Sequence, residues 1–207
     1  LMSIKIKISK KPVDYDKAIR YLEKKVKSLH SQKTEELLWI LSHPSIYTAG
    51  ISTKSNEILD KKINVIKTNR GGKITWHGPG QTIFYFVINL SKRKKDIRKF
   101  VNIIEKIIID TLKEYNIKSF ADRKNVGIWV RRNKKIEKVA AIGIKVRRWI
   151  AYHGCAININ NDLTKYEKII PCGIKNKGVT NLVNIKKQNY EKFEKTLIKN
   201  FLKNLKS

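Results

Sequence analysis

Three short segments of this 207-residue chain carry residue types able to do chemistry. The first is Ile170-Pro171-Cys172-Gly173-Ile174. Proline and glycine bracket the cysteine and put it on a turn, where a thiol can be reached. The alternative is burial between the two isoleucines as inert packing. The second is Lys138-Val139-Ala140-Ala141-Ile142-Gly143-Ile144. A lysine that opens an apolar strand and points inward is partly desolvated, and its ammonium becomes a strong local charge. Taken alone, though, it is one lysine among many, and solvation is the ordinary fate of lysines. The third runs Arg70-Gly71-Gly72-Lys73-Ile74-Thr75-Trp76-His77-Gly78-Pro79-Gly80-Gln81, with four glycines and one proline in twelve residues. Ordering so many glycines is entropically costly, but it lets backbone approach a ligand closely and present N–H groups to it. Arg70, Thr75 and His77 would supply polar groups around that opening. A pair of tight turns flanking a strand is the competing account.

A thiol with a pKa near ~8.5 is only a few per cent ionised at neutral pH. Bringing it to about 6 takes roughly 3.4 kcal/mol of differential stabilisation. One ammonium within hydrogen-bond reach, in a partly desolvated site, supplies much of that. Cys155, within Tyr152-His153-Gly154-Cys155-Ala156-Ile157, sits inside a strand-like run and reads as a small apolar side chain facing a pocket. His153 is either a ligand contact there or a satisfied core histidine. Two cysteines make no disulfide framework, and the absence of CxxC, HxH and HExxH spacings argues against zinc. No cofactor or metal is expected, and a reducing, cytoplasmic location suits free thiols.

The elements that must position these residues follow from periodicity. Val13 to Leu29 carries Ile19, Leu22, Val26 and Leu29 at helical spacing, and Asp96 to Tyr115 does the same with Val101, Ile104, Ile108 and Leu112. Glu36 to Leu41 and Thr82 to Leu90 read as strands. So do Val126 to Val130, Val139 to Val146 and Trp149 to Ile159. The last alternates Ile157 and Ile159 with Asn158 and Asn160, as a half-exposed strand does. From Tyr190 onward, Phe193, Leu197 and Phe201 mark a closing helix. Helices and strands mix without a βαβα rhythm, which predicts an α+β fold with helices on a mixed, mainly antiparallel sheet. No linker or repeat divides the sequence, so one domain over residues 1–207 is expected.

The net charge of +29 admits three readings. It matches nucleic-acid binding by counterion release, although no nucleic-acid motif accompanies it. It also matches a lysine-rich compositional bias spread over every surface, or a field that steers an acidic protein partner. No apolar run is long enough to span a bilayer, and no charged-then-apolar leader opens the chain, so no membrane association is expected.

Taken in order, His43-Pro44-Ser45-Ile46-Tyr47-Thr48-Ala49-Gly50, Arg70 to Gln81, Asn125 to Val130, Lys138 to Ile144, His153 to Asn158 and Pro171-Cys172-Gly173 make a specific set. With them, roughly residues 36 to 182 resemble the lipoyl(octanoyl) transferases, which move octanoyl groups from acyl carrier protein to lipoyl domains. The resemblance implies an α+β fold shared with biotin and lipoate protein ligases. It puts the acyl-bearing nucleophile on Cys172 and the residue that lowers its pKa on Lys138. It puts the acyl pocket on Arg70, Gly71, Gly72, Lys73, Ile74, Thr75, Trp76 and His77, on Ala141, Ile142 and Gly143, and on Gly154, Cys155 and Ala156. Trp76 stands where tyrosine is usual, Asn125 replaces part of a usual Pro-Gly turn, and Cys155 replaces a larger apolar residue.

The implied partners are the acidic octanoyl-acyl carrier protein as donor and, as acceptors, lipoyl domains of 2-oxoacid dehydrogenases or the glycine cleavage H protein. The implied location is the cytoplasm or an organelle of bacterial descent. Backbone N–H groups near Cys172, or from Gly71-Gly72, would stabilise the oxyanion. The competing functions are an ATP-dependent lipoate or biotin protein ligase of the same fold and, ranked below it, a basic nucleic-acid-binding protein.

Overall fold

The computed structural model describes residues 3–31, 34–171 and 177–205. In chain order the elements are β1 (Ile4–Ile8), α1 (Tyr15–His30), β2 (Glu36–Leu41), β3 (Ile46–Ala49), β4 (Val65–Lys67), β5 (Thr75–His77) and β6 (Gln81–Asn89). There follow α2 (Ile97–Glu114), β7 (Ser119–Ala121), β8 (Ile128–Arg132), β9 (Lys135–Arg147), β10 (Ile150–Asn158), β11 (Gly178–Val179), α3 (Leu182–Ile185) and α4 (Phe193–Leu205).

The main sheet runs β1-β2-β6-β10-β9-β8-β7, with β11 added along β9. Its β1–β2 and β11–β9 pairs are parallel and the rest antiparallel. A second sheet, β4-β3-β5, stands beside it. This is the α+β arrangement of helices on a mixed, mainly antiparallel sheet that the sequence predicts.

Strand alternation explains why both faces of the main sheet are covered. Along β6, Phe84, Phe86 and Ile88 enter one core with Phe100, Ile104 and Ile108 of α2 and Phe193, Leu197 and Phe201 of α4. Ile83, Tyr85 and Val87 enter the opposite core, against Ala18, Leu22 and Val26 of α1. Both long helices have aspartate caps: Asp14 accepts from Lys17 N at 2.9 Å, and Asp96 from Lys99 N at 2.8 Å. On α1 the buried face is Tyr15, Ala18, Leu22, Val26 and Leu29, so Leu22, Val26 and Leu29 stand where the spacing predicts and Ile19 lies at the margin.

Two expectations need correction. The strand expected to be half-exposed is β10, and it is buried along its whole length, because β6 and β9 flank it and helices cover both faces. Asn158 is buried as well; its side chain accepts from Gln81 Nε2 at 2.9 Å and donates to Thr180 O at 3.0 Å. Trp149 is outside the strand. With Arg148 it forms the two-residue turn between β9 and β10, both at positive φ (+49° for Arg148, +61° for Trp149). The strand expected from Val126 begins instead at Ile128.

The pairing of β10 with β6 is close at Gly154, where a Cβ would lie 1.9 Å from Phe84 O. Gly154→Ala must therefore push these central strands apart, at a cost of about 3 kcal/mol of unfolding free energy. Urea denaturation checks this, and a variant as stable as the parent would refute the stated contact.

Candidate active site

A cavity of about 410 Å³ lies between the β9–β10 pair and the segment 70–77. Of the residues singled out in the sequence, Arg70, Gly72, Lys73, Ile74, Thr75, His77, Lys138, Ala141, Ile142, Gly143, Gly154, Cys155 and Ala156 line it. The register accounts for part of this wall: Ala141 pairs with Ala156, Ile142 with Cys155, and Gly143 with Gly154. Ala141, Ala156, Gly143 and Gly154 leave room for a ligand over one face of the sheet, while the side chains of Ile142 and Cys155 turn to the core on the other.

Two expected residues are not on the wall. Trp76 is the middle residue of β5, so alternation points it away from Thr75 and His77. It is buried in a separate core with Tyr47, Ile74 and Tyr166, and its Nε1 donates to Ser45 Oγ at 2.9 Å. Gly71 lies beneath the wall, with its Cα against β9; a Cβ there would be 2.6 Å from Ile144 O. Cys172 lies outside the described residues.

Lys138 stands at one end of the cavity. It is 5% exposed, and its Nζ donates to Val126 O at 3.0 Å and lies 4.6 Å from the centre of the Trp129 ring. It is the fourth residue of β9, not the first, and its register neighbours are Trp129 on β8 and Val179 on β11. Pro171 and Val179 share a small adjoining cavity with Lys138 and Thr75.

The opposite end is six residues away along β9, at Ile144 and its partner His153, about 20 Å at the usual strand rise. Gly71 abuts Ile144 there, while Gly72 is on the cavity wall. The segment 70–77 runs along the slot, and Thr75 is its residue at the Lys138 end.

The polar groups around the cavity are held in fixed hydrogen-bonded states, from His153 at the far end to His77, Gln81 and Asn158 on the side of Thr75 and Lys138. Arg70 ties the glycine segment to β3: Nη2 donates to Thr48 O at 2.8 Å and Thr48 Oγ1 at 3.0 Å, and Nη1 to Gly71 O at 3.0 Å. Gln81 Nε2 donates to Asn158 Oδ1 and Tyr166 Oη, so its Oε1 accepts from His77 Nδ1–H at 2.8 Å. His43 Nδ1–H donates to Val13 O at 2.6 Å, leaving Nε2 to accept from Tyr85 Oη at 2.9 Å. Asn69 donates to Glu23 at 2.9 Å and accepts from His153 Nε2–H at 3.0 Å.

Burial first, then His43 and Arg70, push His77 down to about 3. Burial first, then Arg70 and Lys145, push His153 down to about 3. Both imidazoles are neutral near pH 7.

The geometry is matched by known relatives. The lipoyl protein ligase A/B catalytic domain matches residues 14–202. An octanoyltransferase of Wolbachia sp. subsp. Brugia malayi (strain TRS) is 44% identical over 176 residues, 84% of this chain and 86% of that one. An octanoyltransferase of Anaplasma phagocytophilum (strain HZ) is 42% identical over 205 residues, 98% of this chain and 99% of that one. The chain belongs to the octanoyltransferases of the lipoyl protein ligase A/B family. Among solved structures, a bi-partite lipoate protein ligase from Thermoplasma acidophilum superposes with a TM-score of 0.77 at 14% identity, covering 100% of this chain and 85% of that one. At that identity the likeness speaks for the fold.

Cys155 is 3% exposed and turns into the core with α2 and α4, and burial first, then Glu105, pushes its thiol well above the ordinary range, so it packs as an apolar side chain. Sequence reasoning missed Tyr85, Ile83, Ser52 and Lys124 on the wall and Asn69 behind His153. Period two along β6 puts Ile83 and Tyr85 on one face, a signal available in the sequence; the Asn69–His153 pair has no such signal. Among the described residues no three His, Cys, Asp or Glu side chains cluster as a metal would need. No helix among them is long and apolar enough to cross a membrane.

The two neutral histidines have a consequence for stability. Their folded pKa values lie near 3 against 6.5 for the free group, so the unfolded chain binds more protons between these limits. Stability is therefore full above about 6.5 and falls as pH drops toward 3, each histidine adding up to about 1.4 kcal/mol per pH unit. His43, also pushed down by burial, adds in the same direction. Urea unfolding at about pH 6.5 and pH 5 should show the loss; equal stability at both would contradict the neutral, buried state.

Proposed function

We propose that this octanoyltransferase takes the octanoyl group from the thioester of acyl carrier protein onto Cys172 and passes it to a lysine of a lipoyl domain. The observation that carries the reading is the buried Lys138 ammonium at the end of an apolar slot, next to Pro171, the residue bonded to Cys172.

Slot length supports the chain length. An extended octanoyl group spans about 9 Å over its seven C–C bonds. Ala141 and Ile142 stand three and four residues beyond Lys138, about 10–13 Å along β9. A thioester beside Lys138 thus lays its tail over Ala141 and Ala156, on the face that Ile83 shares. At about 0.8 kcal/mol per buried CH₂, the slot retains an eight-carbon chain over a shorter one.

The steps balance as follows. The Cys172 thiolate attacks the thioester carbonyl, and the bond from that carbon to the carrier's sulfur breaks. The departing sulfur takes a proton from the Lys138 ammonium and leaves as a thiol, and Lys138 becomes a neutral amine. The lipoyl-domain lysine, entering as an amine, attacks the acyl-enzyme carbonyl. Lys138 takes the proton this nitrogen loses, the C–S bond to Cys172 breaks, and the amide leaves with the thiolate and ammonium restored. The donor is already activated, so no ATP is needed, which separates this reading from a ligase. Thr75 lines the small cavity beside Lys138 and Pro171, where the oxyanion would develop.

The charge of +29 suits an acidic carrier, whose approach it accelerates. A thiol nucleophile suits a reducing compartment, the cytoplasm or an organelle of bacterial descent. Intact mass after incubation with octanoyl-acyl carrier protein, without ATP, should rise by one octanoyl group. Cys172→Ser should abolish the adduct and Cys155→Ser should keep it. An adduct that disappears with Cys155 instead, or that requires ATP, would sink the proposal.

A further inference from the structure

The loop of residues 122–127, between β7 and β8, is built around one carboxylate. Asp122 Oδ1 accepts from Lys124 N at 2.9 Å, and Oδ2 accepts from Asn125 Nδ2 at 2.7 Å. The same Oδ2 is 2.7 Å from Lys177 Nζ. These hydrogen bonds, led by Asn125 and Lys177, hold the Asp122 carboxyl well below the usual carboxylate range. Downstream, Asn125 O accepts from Trp129 Nε1 at 2.9 Å, and Val126 O accepts from Lys138 Nζ at 3.0 Å.

The Trp129 indole, 1% exposed, has two ammonium groups near its ring: Lys138 at 4.6 Å and Lys177 at 4.5 Å from the centroid. Gly127 completes the fit. At φ +132° it brings backbone against the lysine, and a Cβ there would lie 3.0 Å from Lys138 Cε and 2.8 Å from Ala140 O.

We propose that Asp122, paired with Lys177 beside the Trp129 indole, is the positioning residue of Lys138. By fixing the loop it sets where the Val126 carbonyl stands, and that carbonyl sets where the ammonium stands. The proposal rests on the reading that Lys138 keeps Cys172 ionised.

A lysine reaches its charge through four rotatable bonds, so an ammonium without a fixed acceptor samples many positions. Coulomb attraction falls with distance, and a slip from about 3.5 to about 5.5 Å removes roughly a third of it. The Asp122–Lys177 pair is itself partly exposed, 21% on each side chain, and such pairs add little to stability. Its contribution is therefore geometric, and it separates in experiment from a role in folding.

The test follows the pH dependence of Cys172 alkylation by iodoacetamide, on a Cys155→Ser background so that one thiol reports. Asp122→Asn and Lys177→Met should each move the midpoint up by about one unit, slowing alkylation about tenfold below it and leaving the high-pH plateau unchanged. Asp122→Glu, which keeps the carboxylate, should recover most of the shift. Thermal midpoints should stay within a few degrees of the parent. Unmoved profiles in both Asp122→Asn and Lys177→Met overturn the proposal; if one fails to fold, the other decides. Lys138→Met isolates the underlying reading. Should it leave the profile unchanged, Lys138 has no hold on the thiol and both fall. Should it shift the profile while the two loop variants do not, only the role of Asp122 falls.

Discussion

A buried ammonium is the constraint to which the rest of this molecule answers. Taking the charge of Lys138 out of water costs several kcal/mol unless hydrogen bonds and polarisable groups replace the solvent. Val126 O and the Trp129 ring supply part of that replacement. Both come from the loop and strand next to β9, so the pairing of β8 with β9 is also what keeps the charge solvated by protein. The irregular register between Ile128 and Trp129 belongs to this arrangement, since it begins just past the left-handed Gly127 that opens space for the lysine.

The cavity sets charged groups against neutral imidazoles. Lys138 stands at one end and His153 at the other. His77 is tied through Gln81 to Asn158 on the Lys138 side, and each imidazole has one ring N–H engaged by a neighbouring amide. Arg70 contributes to both: its guanidinium staples segment 70–77 to Thr48 of β3, and its charge discourages protonation of the histidines. The strain at His153, a non-glycine residue at φ +68° inside a buried strand, lies at the far end, as strained backbone often does at a site. The rungs that face the slot between the two ends need only be small, and alanine and glycine are.

Much of this was legible before any coordinates because long periodic elements leave strong marks. The α2 helix, bounded by Asp96 and Tyr115, and the buried run of β6 follow from spacing and β-branched content alone. The glycine-rich string was legible as a wall because its composition has no cheaper purpose. Other parts leave no such mark. The β1 and β11 strands are short and pair in parallel across long separations, and the two-residue turns at Asn133-Lys134 and Arg148-Trp149 use left-handed residues without glycine. The family resemblance implies a pocket position for Trp76 along with its neighbours, although period two in β5 turns it away from them. The apparent half-exposure of β10 came from reading Asn158 as solvent-facing, when its amide is one of the buried cross-links between β10, Gln81 and Thr180. Pairs such as Asn69 with His153 join residues 84 apart in sequence, and only the fold brings them together.

Within the octanoyltransferase family and the lipoate-ligase fold, the proposed chemistry turns on whether the charge at Lys138 governs the ionisation of Cys172. Thiolate absorbance in the ultraviolet, followed against pH in a Cys155→Ser protein with and without Lys138→Met, measures this without substrate or reagent. The account predicts a midpoint clearly below the ordinary ~8.5 with the lysine present, and one at or above that value without it. A midpoint near ~8.5 in both proteins would contradict it.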